Sequence, residues 1–336
     1  MERWLASERN VRLCAMAGAV AIAFSSILVR LSHASPSTAA IFRCAYALPA
    51  LGLLTWVENR RYGPRAWADR RWAVASGVFF AADLLMWHHS IGDIGAGLAT
   101  VLANIQVVLV PLVAWAVLSE RPGRQVLAAL PLALLGVVLI SGVLEHGAYG
   151  HDPTRGTLFG IGAGIAYVGF LLLLRHGGAD LRRPAGPLFD ATAVGAVLCV
   201  IAGSIIGDAR LVPVWPGAAW LITLALTSQV LGWLLITSSL PRLPAALTSL
   251  LLTIQPVGSV ALAAAIFGES PSAVQLVGVA LVLIALLAAT YRARGRVAIR
   301  RLGYAIAGAS GSRSSAAAMS ASENSGSSSR PARKAS

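Results

Sequence analysis

Two related stretches of sequence stand 149 residues apart, NIQVVLVPLVAWAVLSERP at residues 104–122 and TIQPVGSVALAAAIFGESP at residues 253–271. Around them, residues 83–120 align with residues 232–269 without a gap. Chance produces many matches among apolar residues but few among glutamine, glutamate and proline, so the chain contains an internal repeat. The matched residues of these rarer types are Gln106 with Gln255, Glu120 with Glu269 and Pro122 with Pro271.

The composition of the whole chain is that of a membrane protein. Of its 336 residues, 57% are hydrophobic and only 12% are charged, and the mean hydropathy is +0.72. A soluble protein carries about 25% charged residues. Apolar segments of about 20 residues, the length that crosses a bilayer, recur along the chain. The sequence therefore predicts an all-α integral membrane protein.

Short turn-forming sequences separate the apolar segments into ten predicted transmembrane helices. Five of these helices fall in each copy of the repeat. An odd number of spans in one copy turns the next copy upside down, so the fold is predicted as two inverted five-helix repeats. The predicted helices are Val11–Leu31, Ser37–Trp56, Trp72–Ile91, Gly95–Leu118, Gln125–Leu144, Gly156–Arg175, Leu188–Gly207, Gly217–Thr237, Leu243–Phe267 and Ala273–Tyr291.

The distribution of arginine predicts the orientation in the membrane. With a cytoplasmic N-terminus, the predicted outside loops contain only Arg155 and Arg210, and Arg30 lies at a helix end. The turn at 119–125 contains two arginines and its repeat partner at 268–274 contains none, as inverted topology requires. Both termini are then cytoplasmic, in a multi-pass protein of the cytoplasmic membrane. The arginines of the predicted inside loops are Arg60, Arg61, Arg65, Arg70, Arg71, Arg121, Arg124, Arg175, Arg182, Arg183 and Arg242.

The predicted organisation has five parts. Two repeats are flanked by polar segments, and the last segment is too rich in serine and alanine to bury a core, so we expect a disordered cytoplasmic tail. The net charge of +13 comes from arginines in the inside loops and the tail, so no nucleic-acid partner is predicted. The parts are an N-terminal segment at 1–10, the first repeat at 11–145, an external loop at 146–155, the second repeat at 156–292 and the tail at 293–336.

The two quoted stretches, with ASPSTAAIFRCAYALPAL at 34–51, resemble the EamA-domain family of the drug/metabolite transporter superfamily. The resemblance covers about residues 11–291. It implies a secondary transporter that exports small organic metabolites, amino-acid-like or drug-like, and the inverted repeat favours alternating access. The alternatives are a passive facilitator or channel for a small solute and, from another class, an intramembrane scaffold or enzyme.

Charged residues within predicted helices are costly and are therefore candidates for function. Arg43 and Asp83 lie about 10 Å and about 13 Å from the outer ends of their helices, at a rise of 1.5 Å per residue. Their similar depths predict a buried ion pair, serving either the transport site or helix packing. The remaining candidates for substrate or coupling contacts are Tyr46, Trp87, Asn104, Gln106, Tyr167, Gln229, Trp233 and Gln255.

Other kinds of site are not predicted. The sequence has no ATP-binding loop, protease motif or cluster of metal ligands, so we expect no catalytic residue, metal or cofactor. Glu120 and Glu269, which lie at turns before a new helix, are interpreted as helix-start residues. The expected partners are a small-molecule substrate and membrane lipid. Protons as the coupling ion and a homodimer are left open.

Overall fold

The computed structural model describes residues 8–118, 124–141, 144, 148–178, 180, 182–239 and 254–291. The predicted tail at 293–336, Glu120 and the 243–253 part of the predicted ninth helix lie outside these residues. Helices account for most of the described chain. They are α1 Glu8–Ala23, α2 Ser25–Leu31, α3 Pro36–Tyr62, α4 Trp67–Ala103, α5 Gln106–Leu118, α6 Arg124–Ile140, α7 Pro153–Gly177, α8 Ala185–Ile206, α9 Gly217–Leu224, the π-helix Ala225–Gly232, α10 Trp233–Ser239, α11 Ile254–Phe267 and α12 Ala273–Tyr291.

The helical surfaces are apolar, as lipid requires. Large apolar side chains stay exposed along the helices, among them Leu53, Val197 and Ile205. Helices satisfy their own backbone hydrogen bonds, which allows such surfaces to face hydrocarbon. The predicted all-helical membrane architecture is therefore confirmed. Five segments of the described chain are long and apolar enough to cross a membrane: Arg9–Leu31, Pro36–Tyr62, Pro153–Leu174, Ala185–Ile206 and Gly217–Ser239.

The predicted third and fourth helices differ from the observed ones. They are joined in α4, which is interrupted at Gly95 by a backbone φ of 86° and ψ of 169°. The predicted single helix Gly95–Leu118 is not continuous, because it breaks at Asn104 and Ile105 before α5 begins. The Asn104 side chain donates a hydrogen bond to the Thr100 carbonyl (2.8 Å), a local bond by which asparagine competes with regular helix.

The predicted helix Gly217–Thr237 is observed as three consecutive segments, with the π-helix in the middle. A π-helical turn contains an extra residue and therefore changes the direction of the side chains that follow it. Two buried polar residues, Ser228 and Gln229, lie in this segment. The Ser228 hydroxyl donates to the carbonyl of Ala21 in α1 (2.8 Å), which ties the π-helix to the first repeat.

Two pairs of helices that hold the same place in the two repeats pack against each other. The second helices, α3 and α8, lie side by side, as do the fifth helices, α6 and α12. The contact between α6 and α12 is close, because a Cβ atom on Gly136 would lie 2.7 Å from the Gly278 carbonyl oxygen. Small residues at such a crossing allow the backbones to approach.

The starts of α3 and α8 are capped reciprocally. A carboxylate oxygen of Asp208, just after α8, accepts a hydrogen bond from the Ser37 amide (3.1 Å). The two oxygens of Glu58, near the end of α3, accept from the amides of Ala185 and Gly186, each at 2.9 Å. Each carboxylate satisfies amides that have no partner within their own helix. The caps fix the lengthwise register of the two helices that frame the candidate site.

Candidate functional site

A cavity of about 60 Å³, here called the deep cavity, lies between helices of both repeats. Eight of the ten candidate residues line it: Arg43, Asp83, Trp87, Asn104, Gln106, Tyr167, Trp233 and Gln255. The rest of the lining consists of Ile22, Ser25, Phe80, Leu84, Thr100 and Ala103. Arg43 and Asp83, the two residues whose depths were counted from the sequence, both belong to this lining, and a role in substrate or coupling contacts stays a prediction for all eight.

Arg43 is held by neutral partners. The side chain is buried, its Nε donates to Gln229 Oε1 (3.0 Å) and its Nη1 donates to Ser25 Oγ (3.0 Å). The guanidinium also lies over the ring of Trp87, 5.7 Å from the ring centre, where a cation is attracted to the aromatic face. Gln229 lies behind Arg43 and donates to the hydroxyl of Thr192 (3.2 Å). These contacts fix the position of the positive charge beside the deep cavity.

The predicted ion pair between Arg43 and Asp83 is not formed. No Asp83 carboxylate oxygen lies within 4.0 Å of an Arg43 nitrogen, because the guanidinium is turned toward Gln229 and Ser25. Asp83 is nevertheless buried and lines the same cavity as Arg43. The deep cavity is therefore bordered by a guanidinium group and a carboxyl group that make no direct contact.

Gln106 and Gln255, which occupy matching places in the two repeats, both line the deep cavity and are both buried. Gln106 is the first residue of α5 and Gln255 is the second residue of α11. Within the described part of the chain, the buried Nε2 of Gln255 and the buried Nε1 of Trp233 have no hydrogen-bond partner. An unpaired buried donor costs free energy, so these groups are suited to an acceptor supplied by a ligand or water.

Aromatic rings form one wall of the deep cavity. Tyr167 and Trp233 line it, with ring centres 5.9 Å apart, and both pack on Phe170 at 5.8 Å and 5.1 Å. Tyr46, the last of the candidate residues, is not part of the lining and stacks on Phe42 at 5.1 Å. The rings of Tyr167 and Trp233 give the cavity an aromatic part of its lining.

Several hydroxyl groups beside the deep cavity were not predicted from the sequence. Ser259 Oγ hydrogen bonds with Ser26 Oγ (2.5 Å) and lies 3.1 Å from Thr100 Oγ1. All three residues are buried. A lone serine or threonine is common in a membrane helix as a contact between helices, and nothing near these residues in the sequence marks them. Ser26 and Ser259 are 233 residues apart, so only the fold brings them together.

A second cavity of about 480 Å³, here called the vestibule, lies near the ends of the helices. It is lined by Val29, Arg30, His33, Ala34, Pro36, His88, Ile91, Gly92, Asp93, Gly95, Tyr149, Gly150 and His151. Asp93 pairs with Arg155, whose Nε donates to Asp93 Oδ2 (2.9 Å). The vestibule shares α2 and α4 with the deep cavity.

Glu269 joins the two repeats beside the vestibule. Its buried carboxylate accepts hydrogen bonds from the amides of Ala96 (2.8 Å) and Gly97 (3.2 Å) and forms an ion pair with Arg30. Glu269 does cap the start of a helix, but not the helix that was interpreted from the sequence. The helix it caps is the part of α4 that follows Gly95, in the other repeat, and the sequence had pointed to the helix after its own turn.

A profile of the EamA-like transporter family matches residues 11–142 and 154–291. The chain belongs to the EamA-like transporter family. The match covers both halves, so this EamA-like transporter is built from two repeats. Members of the family are membrane transporters and not enzymes. The protein is therefore a multi-pass membrane transporter of small molecules, surrounded by lipid.

Individual proteins resemble this EamA-like transporter more weakly. It is 29% identical over 240 residues to an uncharacterised protein of Pseudomonas aeruginosa, an alignment that covers 71% of this chain and 79% of that protein. A crystal structure of another protein aligns with a TM-score of 0.57 at 16% identity and covers 86% of this chain and 100% of that chain. At such low identity, the structural likeness concerns the fold alone.

Proposed function

We propose that this EamA-like transporter is a secondary transporter that exports small organic metabolites, amino-acid-like or drug-like, by alternating access around the deep cavity. The observation that carries the proposal is that the two repeats line one buried cavity and contribute matching glutamines, Gln106 and Gln255. A site at the interface of two repeats is what alternating access requires, because each repeat can then move against the other around it.

The proposed arrangement in the membrane has ten helices in two inverted repeats, with both termini cytoplasmic. The described helices support it through the symmetric packing of α3 with α8 and α6 with α12. Repeats related by a pseudo-two-fold axis bring equivalent helices together in this way. We retain the homodimer as a prediction, which crosslinking of the protein in membranes would test.

The chemistry of the deep cavity suits a small molecule with polar and apolar parts. Arg43 provides a positive charge and Asp83 provides a carboxyl group. Gln255 and Trp233 provide unpaired donors, and the wall around Tyr167 provides an aromatic surface. Pockets for small molecules combine a few fixed polar groups with apolar walls in this manner. This lining supports a metabolite substrate over an inorganic ion.

The small volume of the deep cavity favours a carrier that changes conformation. It argues against a channel with a permanently open pore. Sites that enclose drug-sized ligands occupy about 300–1,000 Å³. At about 60 Å³, the deep cavity has room for only a few water molecules and must enlarge to take up a metabolite. Enlargement by movement of helices is the conformational step that alternating access supplies.

Protons are the coupling ion that we propose, with Asp83 as the group that binds them. Asp83 is buried beside the deep cavity and makes no hydrogen bond to another described residue. Ionisable residues in such positions commonly belong to proton pathways in membrane transporters. Export driven by protons would require this carboxylate to gain and lose a proton during each cycle.

The function is tested by comparing metabolites exported by cells that lack the protein with those exported by cells that overproduce it. The compound identified is then measured for transport into vesicles containing the purified protein. We expect accumulation against its gradient, abolished by a proton uncoupler and by Asp83→Asn. Equilibration that is insensitive to the uncoupler would instead indicate a passive facilitator. Unchanged export in both strains would contradict a transport function.

A further inference from the structure

The deep cavity and the vestibule are separated by a layer only about one helical turn thick. On α2, Ser25 lines the deep cavity and Arg30 lines the vestibule. On α4, Thr100 lines the deep cavity and Gly95 lines the vestibule. Five residues of helix correspond to about 7 Å. A molecule moving from one cavity to the other would therefore have to cross this single layer.

The layer is made of side chains from both repeats. Ser26 of α2 and Ser259 of α11 hydrogen bond to each other (2.5 Å), and Ser259 Oγ also lies 3.1 Å from Thr100 Oγ1 and 3.2 Å from the Ala96 carbonyl oxygen. These groups are buried and satisfy one another. The contact is thus closed in this conformation, yet it consists of hydrogen bonds that separation of α11 from α2 would break.

Glu269 fastens the same helices on the vestibule side of the layer. It lies two residues beyond the end of α11, and its carboxylate binds the first amides of the helix after Gly95 as well as the guanidinium of Arg30. Arg30 also lies 4.6 Å from the ring centre of Phe267 and 3.4 Å from the hydroxyl of Tyr149. A carboxylate at a helix start is stabilised by the helix dipole and by charge-assisted hydrogen bonds.

The fit around the carboxylate is tight. A Cβ atom at Gly95 would lie 2.7 Å from Glu269 Oε1, and one at Gly97 would lie 3.3 Å from Glu269 Oε2. The backbone of α4 therefore approaches the carboxylate as closely as glycine allows. Glu269 is 173 residues away from Ala96 in the sequence. Its carboxylate therefore joins the two repeats in addition to capping a helix.

We propose that the ion pair of Glu269 with Arg30, together with the Ser26–Ser259 contact, is the gate that closes the deep cavity toward the vestibule. The inference deepens the proposed function, since it assumes movement between two access states. In the open state, Glu269 leaves the amides of Ala96 and Gly97, α11 moves away from α2, and the two cavities join into one passage.

The gate is tested by reagent access to the deep cavity, which needs no knowledge of the substrate. The buried cysteines Cys14, Cys44 and Cys199 are first replaced by alanine, and Ala103→Cys then places one thiol on the cavity lining. A separate protein carrying His151→Cys, on the exposed rim of the vestibule, shows which membrane face the vestibule opens to. A membrane-impermeant maleimide is applied to that face in sealed vesicles, and the labelling rate is measured.

We expect Glu269→Gln to raise the labelling rate of the Ala103→Cys thiol by about tenfold, which corresponds to about 1.4 kcal/mol in the gating equilibrium. Arg30→Gln should raise the labelling rate similarly. The double variant should label little faster than either single variant, because each change breaks the same ion pair. The matched control is Glu58→Gln, which removes a carboxylate that also caps two amides but at the start of α8. It should not raise labelling from the vestibule face.

Unchanged labelling in both Glu269→Gln and Arg30→Gln would overturn the gate, and so would an equal rise in Glu58→Gln, which would indicate general loosening. If Glu269→Gln does not reach the membrane, Arg30→Gln and Ser259→Ala decide the question by the same measurement. A gate that responds as expected in a protein without detectable transport would overturn the proposed function alone. Transport with an unresponsive gate would overturn only the inference drawn here.

Discussion

At the scale of single residues, two buried glutamines of the second repeat have opposite surroundings. Gln255 lines the deep cavity with an unpaired Nε2. Gln275 is fully buried, accepts from the amides of Tyr149 and Ser272 and donates to the carbonyls of Tyr149 and Ile140. One glutamine is therefore free to bind a ligand, whereas the other serves to hold the structure together.

Replacing each glutamine by leucine should separate function from stability. Gln275→Leu leaves several buried groups unpaired, at about 1–3 kcal/mol each, so we expect a clearly lower thermal unfolding temperature in detergent. In Gln255→Leu, no observed hydrogen bond of Nε2 is lost, so this variant should unfold near the temperature of the parent protein. Its transport rate should fall by about tenfold or more, because one contact with the ligand is lost. Equal transport in Gln255→Leu and the parent would argue against a substrate contact at this position.

Gly95 and Gly207 share a backbone φ of +86° and differ in the space around them. A Cβ atom at Gly95 meets Glu269 at 2.7 Å, whereas one at Gly207 meets nothing within 4 Å. Gly207→Ala should therefore cost only the left-handed backbone penalty, about 1–2 kcal/mol. Gly95→Ala should cost about 1–3 kcal/mol more through overpacking. Thermal unfolding of the two variants checks this, and equal losses would mean that the contact with Glu269 yields without strain.

At the scale of secondary-structure elements, the crossing of α6 and α12 depends on glycine. A Cβ atom at Gly278 would lie 2.7 Å from the Gly136 carbonyl oxygen and 3.0 Å from the Ile140 amide, both backbone atoms. We expect Gly278→Ala to force the helices apart and to destabilise the protein by about 1–3 kcal/mol. Gly92→Ala, which meets nothing within 4 Å, should be neutral or slightly stabilising in the same unfolding assay. A stable Gly278→Ala variant would show that the crossing tolerates a wider spacing.

Helix existence followed from the sequence more readily than helix continuity. Apolar length and turn residues were enough to place most of the observed helices, because burial in lipid leaves few alternatives to a helix. The break at Asn104 was not foreseen, since a single side-chain hydrogen bond to Thr100 marks it and no glycine or proline does. The π-helix at Ala225–Gly232 was not foreseen either, because a π-turn depends on packing and has no pattern of its own.

The candidate site was predictable where depth alone decides position. Arg43 and Asp83, which were predicted at similar depth on neighbouring helices, both line the deep cavity. The rotation of a helix about its axis is set by tertiary packing, and this is why Tyr46 stacks on Phe42 outside the lining. The same uncertainty led to the expected ion pair of Asp83 with Arg43, which the neutral partners of Arg43 replace.

At the scale of the whole molecule, the arrangement in the membrane is open to a direct test. Reporter fusions after Arg65 and after residue 301 should show a cytoplasmic location, because the arginines of the predicted inside loops are retained there. A fusion near Gly150 should show a periplasmic location. A periplasmic location at residue 301 would rule out the ten-helix arrangement with two cytoplasmic termini, whereas reversal of all three results would leave the helix number and invert the molecule.

The smallness of the deep cavity has an electrical consequence. A continuous file of water across a membrane conducts protons, and a space with room for only a few molecules is too short to form such a file by itself. The Ser26–Ser259 contact also separates the water in the deep cavity from the water in the vestibule. Transporters that are not carrying substrate should thus leak no protons. A cell that contains many copies of the protein would then keep its membrane potential between transport cycles.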